Sequence, residues 1–364
     1  MVASAASSQP AMPASRPKDL AFIQYLRGFA ATAVLVFHAC QRAQADFGVG
    51  AAGVDLFFVI SGFIMWVVSD ARPLTPRQFI TRRIERIVPL YWAVTLAAAA
   101  AAIVAPAVFP NMTPTAAHVL GSIFFVPHRD ATGEIYPLIV PGWSLNYEMF
   151  FYAIFAVALG LSARLRLPFL IVTFAALAAA GRMVSSDSPA WLTYTDPLLL
   201  EFLAGVLLGV AYTRGARLPS ALSVLLILAG LAAYAGTPWY GQYVEAWRPA
   251  LWGLPALAIV SGAVFLERAG KVPYLRLPHF IGDASYSVYL VHGFAVSAVF
   301  RLFGEGRLPM GVEIALSVLA GLAVGSATYL LVERPLLRLV KYRGGRRLAT
   351  PAPDAPAAAV SRPA

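Results

Sequence analysis

Ten apolar stretches, each near the roughly 20 residues needed to cross the hydrocarbon core of a bilayer, dominate this chain. They fall at about 21–40, 54–70, 87–108, 143–161, 167–181, 196–213, 219–235, 250–267, 284–303 and 311–332. The chain is 59% hydrophobic and only 13% charged, with a mean hydropathy of +0.70, which excludes a soluble domain of this length. The pattern predicts an all-α polytopic membrane protein with about ten transmembrane helices.

Orientation is read from the basic residues. With the N-terminus placed in the cytoplasm, 21 of the 28 lysines and arginines fall in inner segments and six in outer ones, leaving Arg27 within a span. Positive-inside bias then predicts N-in and C-in. The net charge of +10 is thereby accounted for by topology, with no nucleic-acid partner. Residues 1–17 and 341–364, rich in Ala and Pro, read as disordered cytoplasmic tails around a membrane domain at 18–340. The N-terminal stretch lacks the apolar core of a cleavable signal peptide. Cys40 is the only cysteine, so an intramolecular disulfide is excluded, and no metal site is expected.

Polar residues inside such spans are costly, and they mark the candidate sites. Arg27 and His38 are eleven residues apart in the first span, which places them on one helix face about 16 Å apart along the axis. Neutral imidazole takes a proton from a hydroxyl near neutral pH, so His38 is read as a candidate general base, with a packing role as the alternative. Asp55 opens the second span in Gly53-Val54-Asp55-Leu56-Phe57-Phe58, either orienting that imidazole or acting as an acid at a helix N-terminus. Gly53 and Gly62 suit close helix packing.

The loop ahead of the third span carries Arg77, Arg82, Arg83 and Arg86. Arg82 and Arg86 share a face suited to forked contacts with phosphate, as well as serving topology. Ser144, Glu148 and Tyr152 recur every four residues as a polar stripe on the fourth span, facing protein or a watery cavity. Ser285, Tyr289 and His292 make a similar stripe on the ninth, where His292 either lines the cavity or bonds another helix. Glu201 lies in the sixth span, and Glu333 is expected to pair with a nearby base.

In order, Tyr25-Leu26-Arg27-Gly28 with His38, Gly53-Val54-Asp55-Leu56-Phe57-Phe58, Arg82-Arg83 ahead of Pro89, Trp143-Ser144-Leu145 with Glu148, Ser285-Tyr286-Ser287 with His292, and Glu333-Arg334-Pro335 resemble the acyltransferase-3 membrane family. The wording around Ile23 to Arg27 and His128 to Glu148 resembles its exopolysaccharide-production acetyltransferases in particular. The resemblance covers about 20–340.

It implies an O-acyltransferase of the bacterial inner membrane, moving an acyl group, usually acetyl, from cytoplasmic acyl-CoA to hydroxyls of surface glycans. The donor is a substrate and no resident cofactor is expected. Partners are the bilayer, acyl-CoA, a glycan or lipid-linked glycan, and polysaccharide-assembly proteins. On this reading His38, Arg27, Glu148 and Asp55 are catalytic, while Arg82, Arg83, Arg86, Ser144, Tyr152, Tyr289, His292 and Glu201 bind donor or acceptor. The residues alone leave open a transporter or flippase without acyl transfer, since intramembrane Arg, His and Glu serve proton-coupled transport equally well. They also leave open an acyltransferase with a lipid or small-molecule acceptor.

Overall fold

A computed structural model describes residues 20–110, 112–304 and 307–340; the tails expected at 1–17 and 341–364 lie outside the described residues. Among the described residues all regular structure is helical. The helices are α1 (Ala21–Arg42), α2 (Gly53–Ala71), α3 (Pro76–Val104), α4 (Ala116–Ile123), α5 (Trp143–Gly160), α6 (Ala163–Met183) and α7 (Pro189–Tyr194). They continue as α8 (Leu199–Thr213), α9 (Ser220–Ala235), α10 (Thr237–Tyr240), α11 (Val244–Arg248), α12 (Leu254–Arg268), α13 (Arg276–Phe303) and α14 (Met310–Thr328).

Each expected span falls on a helix, and eight helical segments are long and apolar enough to cross a membrane. The other two are α9, which has 16 residues, and α5, whose apolar character is diluted by its polar stripe. The arginine-rich segment expected as a loop before residue 87 is instead the first turns of α3. Hydropathy hid these turns because their side chains are charged. Their start is fixed by a capping box, in which Thr75 Oγ1 accepts from the Gln78 amide at 3.2 Å and the Thr75 amide donates to Gln78 Oε1 at 3.1 Å, with Pro76 at the first helical position.

Helix α1 has no cap of its own. The Glu267 carboxylate at the end of α12 takes that role, accepting from the amides of Ala21 (2.6 Å) and Phe22 (2.9 Å) at the positive end of the α1 dipole. Helix α1 lies along α13, and α2 along α8, at distances only glycine allows. A Cβ on Gly28 would sit 3.0 Å from the Gly282 amide nitrogen, and one on Gly62 would strike the Phe202 carbonyl. Gly53 likewise abuts the Ala30 carbonyl, so both glycines singled out in α2 do serve packing.

An aromatic core joins α2, α5 and α8, with the Phe202 ring stacked 4.3 Å from Phe58 and 4.6 Å from Phe151 between centroids. Outward faces are greasy: Val172 of α6, Leu225 and Leu228 of α9 and Leu319 of α14 are all exposed, as lipid-facing positions should be. Buried Cys40 packs near the far end of α1.

Candidate active site

Where α1 approaches α13, with α2, α3 and α5 beside them, the bundle lines a cavity of about 140 Å³. Arg27 enters it from α1, Ser61 from α2, Arg83 and Arg86 from α3, Ser144, Glu148 and Tyr152 from α5, and Tyr286 and Tyr289 from α13. The four-residue stripe on α5 thus faces the cavity along its whole length, which is why a helix with polar atoms every turn is tolerated in a membrane protein.

Glu148 is held in place by two hydroxyls. Ser61 Oγ donates to its Oε1 at 3.1 Å, and the Tyr152 hydroxyl donates to the same oxygen. Higher on α5, Ser144 Oγ and the Tyr289 hydroxyl lie 2.9 Å apart. Arg86 is neutralised: it pairs with buried Glu333, whose other oxygen accepts from Ser287 Oγ at 2.5 Å. Glu333 therefore pairs across the bundle, not with its neighbour Arg334. Arg27 and Arg83 form no ion pair among the described residues, and Arg83 Nε is buried with no partner there. Among the described residues the cavity thus carries two guanidinium groups with no ion-pair partner, together with the Glu148 carboxylate. That is a charge pattern for an anionic ligand with a reactive polar end.

His38 stands outside this cavity, three turns further along α1, where its ring meets His292 of α13 nearly at right angles with centroids 5.0 Å apart. His292 Nδ1 lies 2.7 Å from the Tyr289 carbonyl and 3.2 Å from that of Val288. Carbonyl oxygens only accept, so the hydrogen-bond network assigns the proton to Nδ1 and leaves a lone pair on Nε2. That Nε2 and His38 Nδ1 are both buried without a hydrogen-bond partner among the described residues. Tyr289 links the two regions, its hydroxyl in the cavity and its ring 6.2 Å from that of His292.

Other expected site residues lie elsewhere. Asp55 does not orient His38: its fully buried carboxylate accepts from Arg248 Nε at 3.1 Å and Nη2 at 2.9 Å. The Arg248 guanidinium is flanked by the Trp143 and Trp252 rings, at 5.8 and 5.2 Å from their centroids. Glu201 belongs to this second cluster and not to the cavity, its side chain packed against Gly253 with neither oxygen hydrogen-bonded among the described residues. Arg82 points outward and is exposed, so the bases that α3 turns toward the cavity are Arg83 and Arg86.

Ser61 and Arg248 are the residues the sequence did not single out. Ser61 was visible as a lone hydroxyl in the middle of an apolar helix, and Arg248 as an outer-side arginine set among tryptophans.

The chain belongs to the acyltransferase-3 family: the family's acyltransferase domain matches residues 20–331, nearly all that the structure describes. It is therefore a multi-pass membrane acyltransferase. It is 44% identical over 310 residues to the exopolysaccharide production protein ExoZ of Rhizobium meliloti, an alignment covering 85% of this chain and 96% of that one. It is 28% identical to the putative membrane-bound transacylase BcsY of Komagataeibacter xylinus, over 88% of this chain and 83% of the relative. The O-acetyltransferase OatA of Staphylococcus aureus is 24% identical over 88% of this chain, with 57% of its own length covered. No solved structure matches the chain.

Proposed function

We propose that this protein transfers acetyl from cytoplasmic acetyl-CoA to a hydroxyl of an exopolysaccharide or related surface glycan, across the inner membrane of a bacterium, with both termini in the cytoplasm. The similarity to ExoZ, BcsY and OatA supports the acyl group and the acceptor class. One observation carries the reading. Arg27 opens into the basic cavity, while His38, on the same face of α1, meets His292 about 16 Å further along the helix.

Arg83, with Arg27 beyond it, binds the phosphates and steers the thioester arm inward, while Arg86, already paired with Glu333, lines the path. Arg82 is a topology residue, and Glu148 with Tyr152 and Ser61 lines the way. The two orphan ring nitrogens complement each other. With the proton on His38 Nδ1, beside the His292 ring, His38 keeps a lone pair on Nε2 and that nitrogen is the base. The acceptor hydroxyl gives its proton to that nitrogen and its oxygen bonds to the acyl carbon. The carbon–sulfur bond then breaks, and the departing thiolate recovers the proton from the imidazolium.

The test uses purified protein in proteoliposomes, supplied with acetyl-labelled acetyl-CoA on the α3 side and polysaccharide on the other. Label bound covalently to the glycan is the expected result. Thioester that remains intact, or label that crosses unchanged, would replace the enzyme with a transporter.

A further inference from the structure

A second and larger cavity, about 580 Å³, opens at the end of the bundle opposite the Arg27 cavity. It is lined by Arg42 at the end of α1 and Gln44 just after it, by Arg301 and Arg307 around the end of α13, and by Glu313 of α14. Arg42 lies one helical turn beyond His38 on the same face of α1, about 6 Å further along the axis.

The outer side is the side on which positive-inside bias leaves few bases. Of the six arginines there, Arg248 is committed to Asp55, Arg129 donates to the carbonyls of Gly133 and Asp187, and Arg182 donates to that of Ala246. The other three converge on this one cavity, and Arg307 spends a single donor on the Leu302 carbonyl, 3.1 Å away. Among the described residues these three guanidinium forks have donors to spare, and forked donors match carboxylate and phosphate geometry.

Glu313 supplies the opposite need. It is only 6% exposed, and its Oε1 has no hydrogen-bond partner among the described residues. A buried carboxylate oxygen left so is costly unless a donor from elsewhere completes it. A hydroxyl group is such a donor.

We infer that this cavity is the acceptor subsite, and that it takes a sugar unit bearing an oxyanion, with Arg42, Arg301 and Arg307 on the carboxylate or phosphate and Glu313 accepting from a sugar hydroxyl. The inference rests on the acyl-transfer reading above and adds to it the charge of the acceptor. Its position then presents a neighbouring hydroxyl to His38, one turn away. The oxyanion has two possible sources: an acidic sugar within the glycan, or the diphosphate of a lipid carrier.

The test measures acetyl transfer by the full chain in proteoliposomes to three acceptors: a neutral gluco-oligosaccharide, an oligouronate of the same length, and a polyprenyl-diphosphate-linked glucan. Wild-type protein should show a lower KM for one or both anionic acceptors than for the neutral one. Arg42→Gln with Arg301→Gln should raise that KM by roughly tenfold or more, the scale of one charge-assisted hydrogen bond. The KM for acetyl-CoA should stay within about twofold, and raised salt should mimic the substitutions. Preference for the oligouronate alone identifies an acidic sugar, and preference for the diphosphate alone identifies the carrier. Arg42→Lys with Arg301→Lys, which keeps charge but not the fork, covers the case in which the glutamine variant fails to fold; it too should raise the anionic KM. Equal KM for neutral and anionic acceptors, or variants that leave the anionic KM unchanged, would overturn the inference while leaving the acyl-transfer reading intact. Absence of transfer by wild type to any glycan would remove that reading, and this inference with it.

Discussion

Replacing Asp55 with alanine should unfold this protein more readily without touching its chemistry directly. The Asp55 side chain is fully buried and accepts two hydrogen bonds from Arg248, whose side chain is 21% exposed and whose guanidinium is flanked by two tryptophans. Removing one partner of a buried pair strands the other, at a cost of about 3–5 kcal/mol. Against a total stability on the order of 5–15 kcal/mol, that is a large share. Glu201 lies close enough to relieve part of the stranded charge, so Asp55→Ala with Glu201→Gln should be worse than Asp55→Ala alone. Asp55→Ala with Arg248→Met removes both charges and should recover most of the loss. Thermal unfolding in detergent, followed by tryptophan fluorescence with Trp143 and Trp252 as local reporters, measures each variant. The single substitution should lower the apparent midpoint on the order of 5–10 °C. A normal midpoint for Asp55→Ala combined with a loss of turnover of about a hundredfold or more would refute this reasoning and return the carboxylate to the reaction.

His38→Ala should lower acetyl transfer by about 10²–10⁴-fold with an unchanged unfolding midpoint, and retention of about a tenth of wild-type turnover would count against its role as base. His292→Gln, which keeps an acceptor where Nε2 stands, should keep turnover within a few-fold of wild type, whereas His292→Asn, which keeps only the bond to the Tyr289 carbonyl, should lose about tenfold in kcat at constant KM. Arg83→Lys should raise the KM for acetyl-CoA several-fold because an ammonium cannot reproduce the fork, while Arg82→Lys, on the exposed face, should not. Single cysteines at Gln78 and Gln44, with Cys40→Ser, should label with an impermeant thiol reagent from opposite sides of the membrane, and in intact cells only the one at Gln44 should react.

The helices and the polar stripes were legible because both depend on local periodicity. Ser144, Glu148 and Tyr152 share a face by spacing alone, and the structure places all three on the cavity. What spacing does not encode is which distant residue completes a buried charge. Glu333 sits beside Arg334 in sequence but pairs with Arg86, and Asp55 pairs with an arginine from the far side of α9. The first turns of α3 were lost to hydropathy because charged side chains can occupy a helix end outside the lipid. The capping box at Thr75 to Gln78 was the better guide there.

Pairing also separates the charges that hold the fold from those that await a ligand. Arg248 and Arg86 each have a carboxylate, so their desolvation is offset within the protein. Arg27 and Arg83 have none among the described residues, yet both face one cavity. A charged residue within a membrane helix costs roughly 2.5–3.5 kcal/mol even by the more lenient scales. Arg27, within its span, bears this cost, while Arg83, at the helix end, lies over the Phe79 ring at 5.8 Å and keeps a buried Nε with no partner among the described residues. On the proposed function, the donor's phosphates entering the cavity recover energy that folding withholds. The same reasoning applies to the orphan nitrogens of His38 and His292. On the proposed mechanism, a substrate hydroxyl and the transfer of its proton bring the two rings into use.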